Sequence, residues 1–160
     1  MLTVLFHSRI THTAIAASLV LIQTAHPASG FGVRPPKTGC YITVDDPHIS
    51  TSVKERYGQR AVKVNANSLC NFAVQDLFLT VQIYQSSGPG FQKVVSYTVS
   101  APSVTPPNER VFNKKTYGLC KSKGKKVFYG VGFATATING RRYETPPTRS
   151  QNKVSLTCTV

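Results

Sequence analysis

Leu77-Phe78-Leu79-Thr80-Val81-Gln82-Ile83-Tyr84 sets Leu77, Leu79, Val81 and Ile83 at every second position. A period of two is that of a strand with one buried face, because successive side chains point to opposite sides of the backbone. The same alternation occurs upstream, where Val62, Val64 and Ala66 are interleaved with Lys63, Asn65 and Asn67. Further strand-like runs cover residues 40–44, 93–100, 127–138 and 153–160. Turn signals separate them: Ser87-Gly88-Pro89-Gly90, Pro106-Pro107-Asn108 and Asn139-Gly140. Asn-Gly is the strongest short hairpin signal, since both turn residues need positive φ. No window of helical periodicity exceeds two turns. Short strands at this spacing predict an all-β fold, a single antiparallel β-sandwich over residues 40–160.

The chain ahead of that domain has the order of a secretory signal. His7 and Arg9 precede an uncharged run at residues 13–22 (TAIAASLVLI), followed by Gln23 and His26-Pro27. The run is about ten residues, against roughly twenty needed to cross a bilayer, and none like it follows, so the mature chain is expected to lack a transmembrane segment. Ala28-Ser29-Gly30 supplies the small side chains that cleavage needs. Residues 1–30 are therefore expected to be a signal peptide and 31–39 a flexible segment. The first cysteine, Cys40, lies past Arg34-Pro35-Pro36 and too far on for a lipoprotein signal. The expected product is secreted and extracellular.

Removing residues 1–30 takes away Arg9 and no acid, leaving a mature charge of +12 where the full chain carries +13. Cys40, Cys70, Cys120 and Cys158 all remain, and an even count in an exported chain predicts two disulfides. Strand parity turns Cys40, Cys70 and Cys158 inward, whereas Cys120 lies outside clear alternation. Four cysteines allow three connectivities. Cys120 and Cys158 lie 19 and 18 residues from the Asn139-Gly140 turn, so a hairpin there favours their pairing and leaves Cys40 with Cys70. Pro146-Pro147 must bulge or interrupt the returning strand.

Several segments carry a resemblance. Cys40, Pro47-His48-Ile49-Ser50, the strand ending in Cys70, Gly88-Pro89-Gly90-Phe91-Gln92-Lys93-Val94, Phe128-Tyr129-Gly130-Val131 and Val154-Ser155-Leu156-Thr157-Cys158 resemble the small secreted immunoglobulin-like proteins of Actinobacteria. Members often carry Trp where this chain has Phe91. The resemblance implies an immunoglobulin-like sandwich and secretion, in a family whose members mostly have no assigned activity. Residues 127–138 contain no cysteine, so the inter-sheet disulfide of antibody domains is not expected, and any staple must lie at strand ends or within hairpins. Gly130, Gly132, Ala134 and Ala136 share one face of that strand. Small residues there suit tight packing of a neighbouring layer, with a ligand groove as the alternative.

Catalysis finds little support. No Gly-x-Ser-x-Gly elbow, His-Glu-x-x-His motif, P-loop or dinucleotide fingerprint occurs, and no cofactor is expected. His48 is the one histidine after residue 30. Asp45-Asp46-Pro47-His48 reads as a turn whose Asp side chains accept local backbone bonds, with a divalent-metal site and a catalytic dyad as alternatives. Asp45, Asp46, Glu55, Asp76, Glu109 and Glu144 are too scattered to suggest a glycosidase pair.

Partner chemistry concentrates around Cys120. Lys114, Lys115, Lys121, Lys123, Lys125 and Lys126 fall within thirteen residues without an acid, and Arg141-Arg142 follow the next turn as a second patch. Lysines attract polyanions as point charges without reading sequence or geometry. The expected function is a secreted, non-enzymatic binding module docking on an anionic polymer of the cell envelope or extracellular space. A solvated basic loop is the plainer alternative. A second alternative is a protein-directed extracellular factor, such as an enzyme inhibitor or competition protein, using residues 86–90 or 101–108. No motif supports sequence-specific nucleic-acid recognition.

Overall fold

A computed structural model describes residues 39–121 and 123–158. The expected signal peptide at 1–30 and the expected flexible segment up to residue 38 lie outside the described residues. The described chain is built mostly of antiparallel strands, with one short helix.

Two long strands form the spine, β5 (Val74–Ser87) and β10 (Gly124–Ile138). They pair antiparallel from Phe128 opposite Gln85 to Thr135 opposite Phe78, with a register shift before Thr137. β6 (Gly90–Ser100) hairpins back onto β5 across Gly88, whose φ is 54°. β11 (Arg141–Glu144) returns along β10 through Asn139 and Gly140, both left-handed at φ 49° and 73°. That is the geometry the Asn-Gly pair supplies. β7 (Val104–Thr105) pairs β5, and β12 (Thr148–Arg149) and β13 (Val154–Cys158) pair β10, completing a seven-stranded sheet.

Two three-stranded sheets take up the rest. β1 (Cys40–Val44), β4 (Ala66–Cys70) and β8 (Arg110–Asn113) lie in the order β1-β4-β8. β2 (His48–Ile49), β3 (Ala61–Lys63) and β9 (Tyr117–Leu119) lie in the order β2-β3-β9. The run from Val62 to Ala66, which reads as one strand, is therefore divided between two sheets. Val62, Val64 and Ala66 are all buried, so the alternation is real; the hydrogen-bond partners change. Between the strands, Val64 N–H donates to the Thr116 carbonyl and the Asn65 carbonyl accepts from Asp45 N–H.

The helix α1 (Thr51–Tyr57) has no periodic signature because seven residues make barely two turns. Its ends are specified locally. Ser50 Oγ accepts from Val53 N–H at 3.3 Å, and Gly58 at φ 68° closes it through its N–H to the Lys54 carbonyl. These are ordinary cap devices, and Val53 is the residue that the helix buries.

The core lies on the inner face of the long sheet. Leu77, Leu79, Val81 and Ile83 are buried there, facing Val44, Val62, Val64 and Ala66. Between them the small residues of β10 admit the opposing valines. A β-carbon at Gly130 would lie 2.6 Å from Val64 Cγ1 and 3.0 Å from Val44 Cγ1; one at Gly132 would lie 2.8 Å from Val44 Cγ2. The expected tight packing holds at these two positions. Asn113, fully buried, ties the turn after β8 to the long sheet. Its Nδ2 donates to the Leu79 and Tyr97 carbonyls, and its Oδ1 accepts from Lys115 N–H and Thr116 Oγ1. All four of its hydrogen-bonding capacities are used.

Cys40 pairs with Cys70 and Cys120 with Cys158. Cys40 and Cys70 are direct cross-strand partners in β1 and β4. The hairpin count needs one amendment. The chain returning from Asn139-Gly140 gains one residue by β12 and two more by β13. Cys158 thus lies opposite Gly124, and the bond reaches back to Cys120 ahead of the strand. Cys70, Cys120 and Cys158 are buried, while Cys40 is only half-buried, so the inward parity assigned to Cys40 is incomplete and Cys120 is more enclosed than its pattern suggests.

The two bonds span 30 and 38 residues, for which chain entropy gives each an upper stabilisation of about 4 kcal/mol. Replacing Cys120 and Cys158 together by Ala is expected to lower the unfolding free energy by about 2–4 kcal/mol in urea titration. An unchanged midpoint would show that this bond adds nothing to the fold.

Candidate functional site

β5 and β10 run for 14 and 15 residues, whereas the strands facing them are 3 to 5 residues long. The inner face of the long sheet therefore overhangs its cover. On β10 the parity that buries Phe128 and Gly130 also places Lys126 on the inner side; on β5 the parity of Ile83 continues to Gln85. Where the cover thins, the face turns from apolar to polar, and a cleft of about 600 Å³ opens.

Each wall has a local cause. β6 shifts register between the partners of Ile83 and Tyr84, leaving Val94 unpaired. A bulge re-aims the strand around it, so that Gln92 and Val95, opposite Gln85 and Ile83, both face the cleft, which strict alternation would forbid. The opposite wall is β9. A β-carbon at Gly118 would lie 2.8 Å from Val95 Cγ2, so glycine permits β9 and β6 to meet beside the opening. Behind β9, Tyr117 stacks on Tyr57 with centroids 6.2 Å apart. The Cys120–Cys158 bond closes the cleft below Lys121.

Lys121, after β9, and Lys126, on β10, line this cleft together, Lys93 of β6 borders it from the strand that pairs with Tyr84, and among the described residues no Asp or Glu lines it. Of the six lysines singled out by sequence, Lys121 and Lys126 are brought together here. Lys123 and Lys125 are exposed beside it, with Lys125 on the other face of β10. Lys114 and Lys115 occupy the turn between β8 and β9, where the Lys114 ammonium sits 4.9 Å from the Phe112 ring centre. Lys93 was missed. Set in an alternating strand, a lysine looks like an ordinary solvated side chain, and its place at the border of the opening depends on the pairing of β6 with β5. Arg141 and Arg142 lie alongside the other end of β10, opposite Ile138 and Thr137, and Arg142 donates to Thr135 Oγ1 at 3.3 Å. At ~3.3 Å per residue, the length of β10 separates the two basic regions.

The Asp45-Asp46-Pro47-His48 segment is extended into β2, and its carboxylates bind distant partners instead of the local backbone. Asp46 accepts from Asn152 N–H at 2.8 Å and Asn152 Nδ2 at 2.6 Å; Asp45 accepts from Asn65 Nδ2 at 3.3 Å. His48 Nδ1 is 3.2 Å from the Asp46 carbonyl, not its carboxylate. This geometry fits a tether between β1 and β13 and gives a dyad no support. Among the described residues no three His, Cys, Asp or Glu side chains cluster as metal ligands, and no helix is long and apolar enough to cross a membrane.

Two other features stand apart from the cleft. On the outer face of the long sheet Tyr84 stacks on Tyr129 at 4.9 Å and Phe91 meets Tyr129 edge-on at 5.0 Å, with Arg149 and Lys153 over the rings. Near Ala134 and Ala136 the small-residue face borders a hollow of about 390 Å³ with Phe72, Leu77 and Tyr143. The groove alternative thus survives at that end of the face, beyond the tight contacts of Gly130 and Gly132.

No protein-family model matches the chain, and no curated protein does either.

The tyrosine pair behind β9 offers a direct check on the wall. A hydrogen bond from Tyr117, with Arg56 adding to it, stabilises the Tyr57 phenolate and lowers its pKa below the ordinary tyrosine value, while the same bond raises that of Tyr117. In a tyrosine ring NMR titration Tyr57 should ionise first and Tyr117 later. Tyr117→Phe should move Tyr57 back upward; two tyrosines titrating together at the ordinary value would show that the pair is not formed.

Proposed function

We propose that this chain is an exported, non-enzymatic binding module of immunoglobulin-like sandwich architecture that docks on anionic polymers outside the cell. The observation that carries the reading is the placement of Lys121 and Lys126 on one cleft that no Asp or Glu lines among the described residues, with Lys93 at its border. Two further lysines, Lys123 and Lys125, are exposed in the same stretch of chain, Lys125 from the other face of β10. Like charges gathered on one opening repel one another and weaken the free protein, so the arrangement gains its value when an anion is present.

Export is supported by the two disulfides, which form and persist in oxidising compartments, and by the signal-like order of residues 1–30. The sandwich reading is supported by the opposition of the long sheet to β1, β4 and Val64 through Gly130 and Gly132. A binding role, as opposed to catalysis, is supported by the tether geometry of Asp46 and the structural use of every cysteine.

Salt elution tests the reading. Replacing Lys121, Lys123, Lys125 and Lys126 by Gln should cost about 2 kcal/mol of polymer binding if each exposed contact contributes roughly 0.5 kcal/mol, a loss of about thirtyfold. Retention of the purified protein on immobilised heparin should persist near 0.15 M salt and be lost in this variant. Lys93→Gln should weaken retention as well, although it lies far away in sequence. Elution of the wild type below physiological ionic strength, where screening still leaves surface charges about 8 Å of reach, would overturn the proposal.

A further inference from the structure

We infer that the cleft accepts one or two rings of an acidic saccharide, with the acid group at Lys121 and Lys126. This rests on the anionic-polymer reading and narrows it from charge to chemistry. Size is the first argument. About 600 Å³ lies within the roughly 300–1,000 Å³ of small-molecule sites, enough for a sugar unit or two and too little for a folded polypeptide element.

The lining is the second. Beside the lysines stand the amides of Gln85 and Gln92, which both donate and accept, as sugar hydroxyls do. Val94 and Val95 give an aliphatic wall on which the C–H faces of a ring can rest. A lipid would need depth for its acyl chain, and the cleft has none: Ile83 is 0 %, Phe128 2 % and Cys158 5 % exposed, so the floor is packed core. A nucleobase would need a bare aromatic face. Of the two rings on the lining, Phe128 is buried and Tyr117 is stacked on Tyr57. Lysines do not distinguish carboxylate, sulfate and phosphate ester by geometry, so the shared chemistry is a sugar ring bearing an anion.

Calorimetry on the purified protein separates ring recognition from charge. The probes are a heparin tetrasaccharide, a galacturonate tetramer, neutral cellotetraose and short-chain polyphosphate. At least one acidic tetrasaccharide should bind more tightly than both polyphosphate and cellotetraose. Gln92 is exposed, and Gln92→Trp fills the cleft without altering charge. It should weaken the acidic tetrasaccharide about tenfold or more, as expected for losing a contact or two of hydrogen-bond strength, and leave polyphosphate nearly unchanged. Gln92→Ala, which removes the amide without adding bulk, should weaken the tetrasaccharide severalfold and serves if the larger side chain disturbs folding. Parallel losses for polyphosphate and tetrasaccharide, or no loss for either variant, overturn the inference. Retention on long heparin without binding of either acidic tetrasaccharide overturns the inference and leaves the polymer reading standing; failure to bind long heparin overturns both.

Discussion

The close approach at Gly130 and Gly132 is the constraint on which the arrangement depends. Protein interiors are packed to crystal-like density, and here the facing valines enter the space that side chains on β10 would occupy, with Val64 Cγ1 at 2.6 Å and Val44 Cγ2 at 2.8 Å from the positions of missing β-carbons. Val44 belongs to β1 and Val64 lies between β3 and β4. The two glycines thus seat the β1-β4-β8 sheet, and the crossing from β3 into it, on the long sheet at the middle of β10. Valine is stiff at χ1, so the contact has little room to adjust.

The opening follows from the same contact. With the short elements seated at mid-strand, the long strands continue past them, and the inner face of β10 passes from Gly130 and Phe128 to Lys126. The Cys120–Cys158 bond then holds the segment carrying Lys121 against the last turn of that face. At the other end the face continues through Ala134 and Ala136 to an apolar hollow without lysines. One strand therefore presents packed glycines in its centre, charge at one end and an apolar surface at the other.

Much of this was legible in the sequence where a rule of local chemistry applies. The period of Leu77 to Ile83, the Asn139-Gly140 hairpin and the small-residue face of β10 all depend on residues close in sequence. The pairing of Cys120 with Cys158 was favoured by counting from that hairpin, although the count ignored three residues gained around Pro146-Pro147 and residues 150–153. What stayed hidden depends on distant contacts. Nothing local marks where the Val62 to Ala66 alternation changes sheets, because burial is the same on both sides of the change. α1 is too short for a periodic signal. Asp46 reads as a turn residue until Asn152, 106 positions away, supplies its partner. The bulge in β6 that turns both Gln92 and Val95 to one face is set by the pairing with β5 and has no local mark.

The central claim is that the spacing of the layers is set by the absence of side chains at Gly130, and equilibrium urea unfolding of Gly130→Ala tests it most directly. In an unhindered strand, alanine for glycine adds roughly 0.5–1 kcal/mol by restricting the unfolded chain. Here the added methyl group meets Val64, and overpacking of this kind costs about 1–3 kcal/mol. The account therefore predicts a destabilised variant with a lower midpoint and an unchanged slope. A variant as stable as the wild type, or more stable, would contradict it.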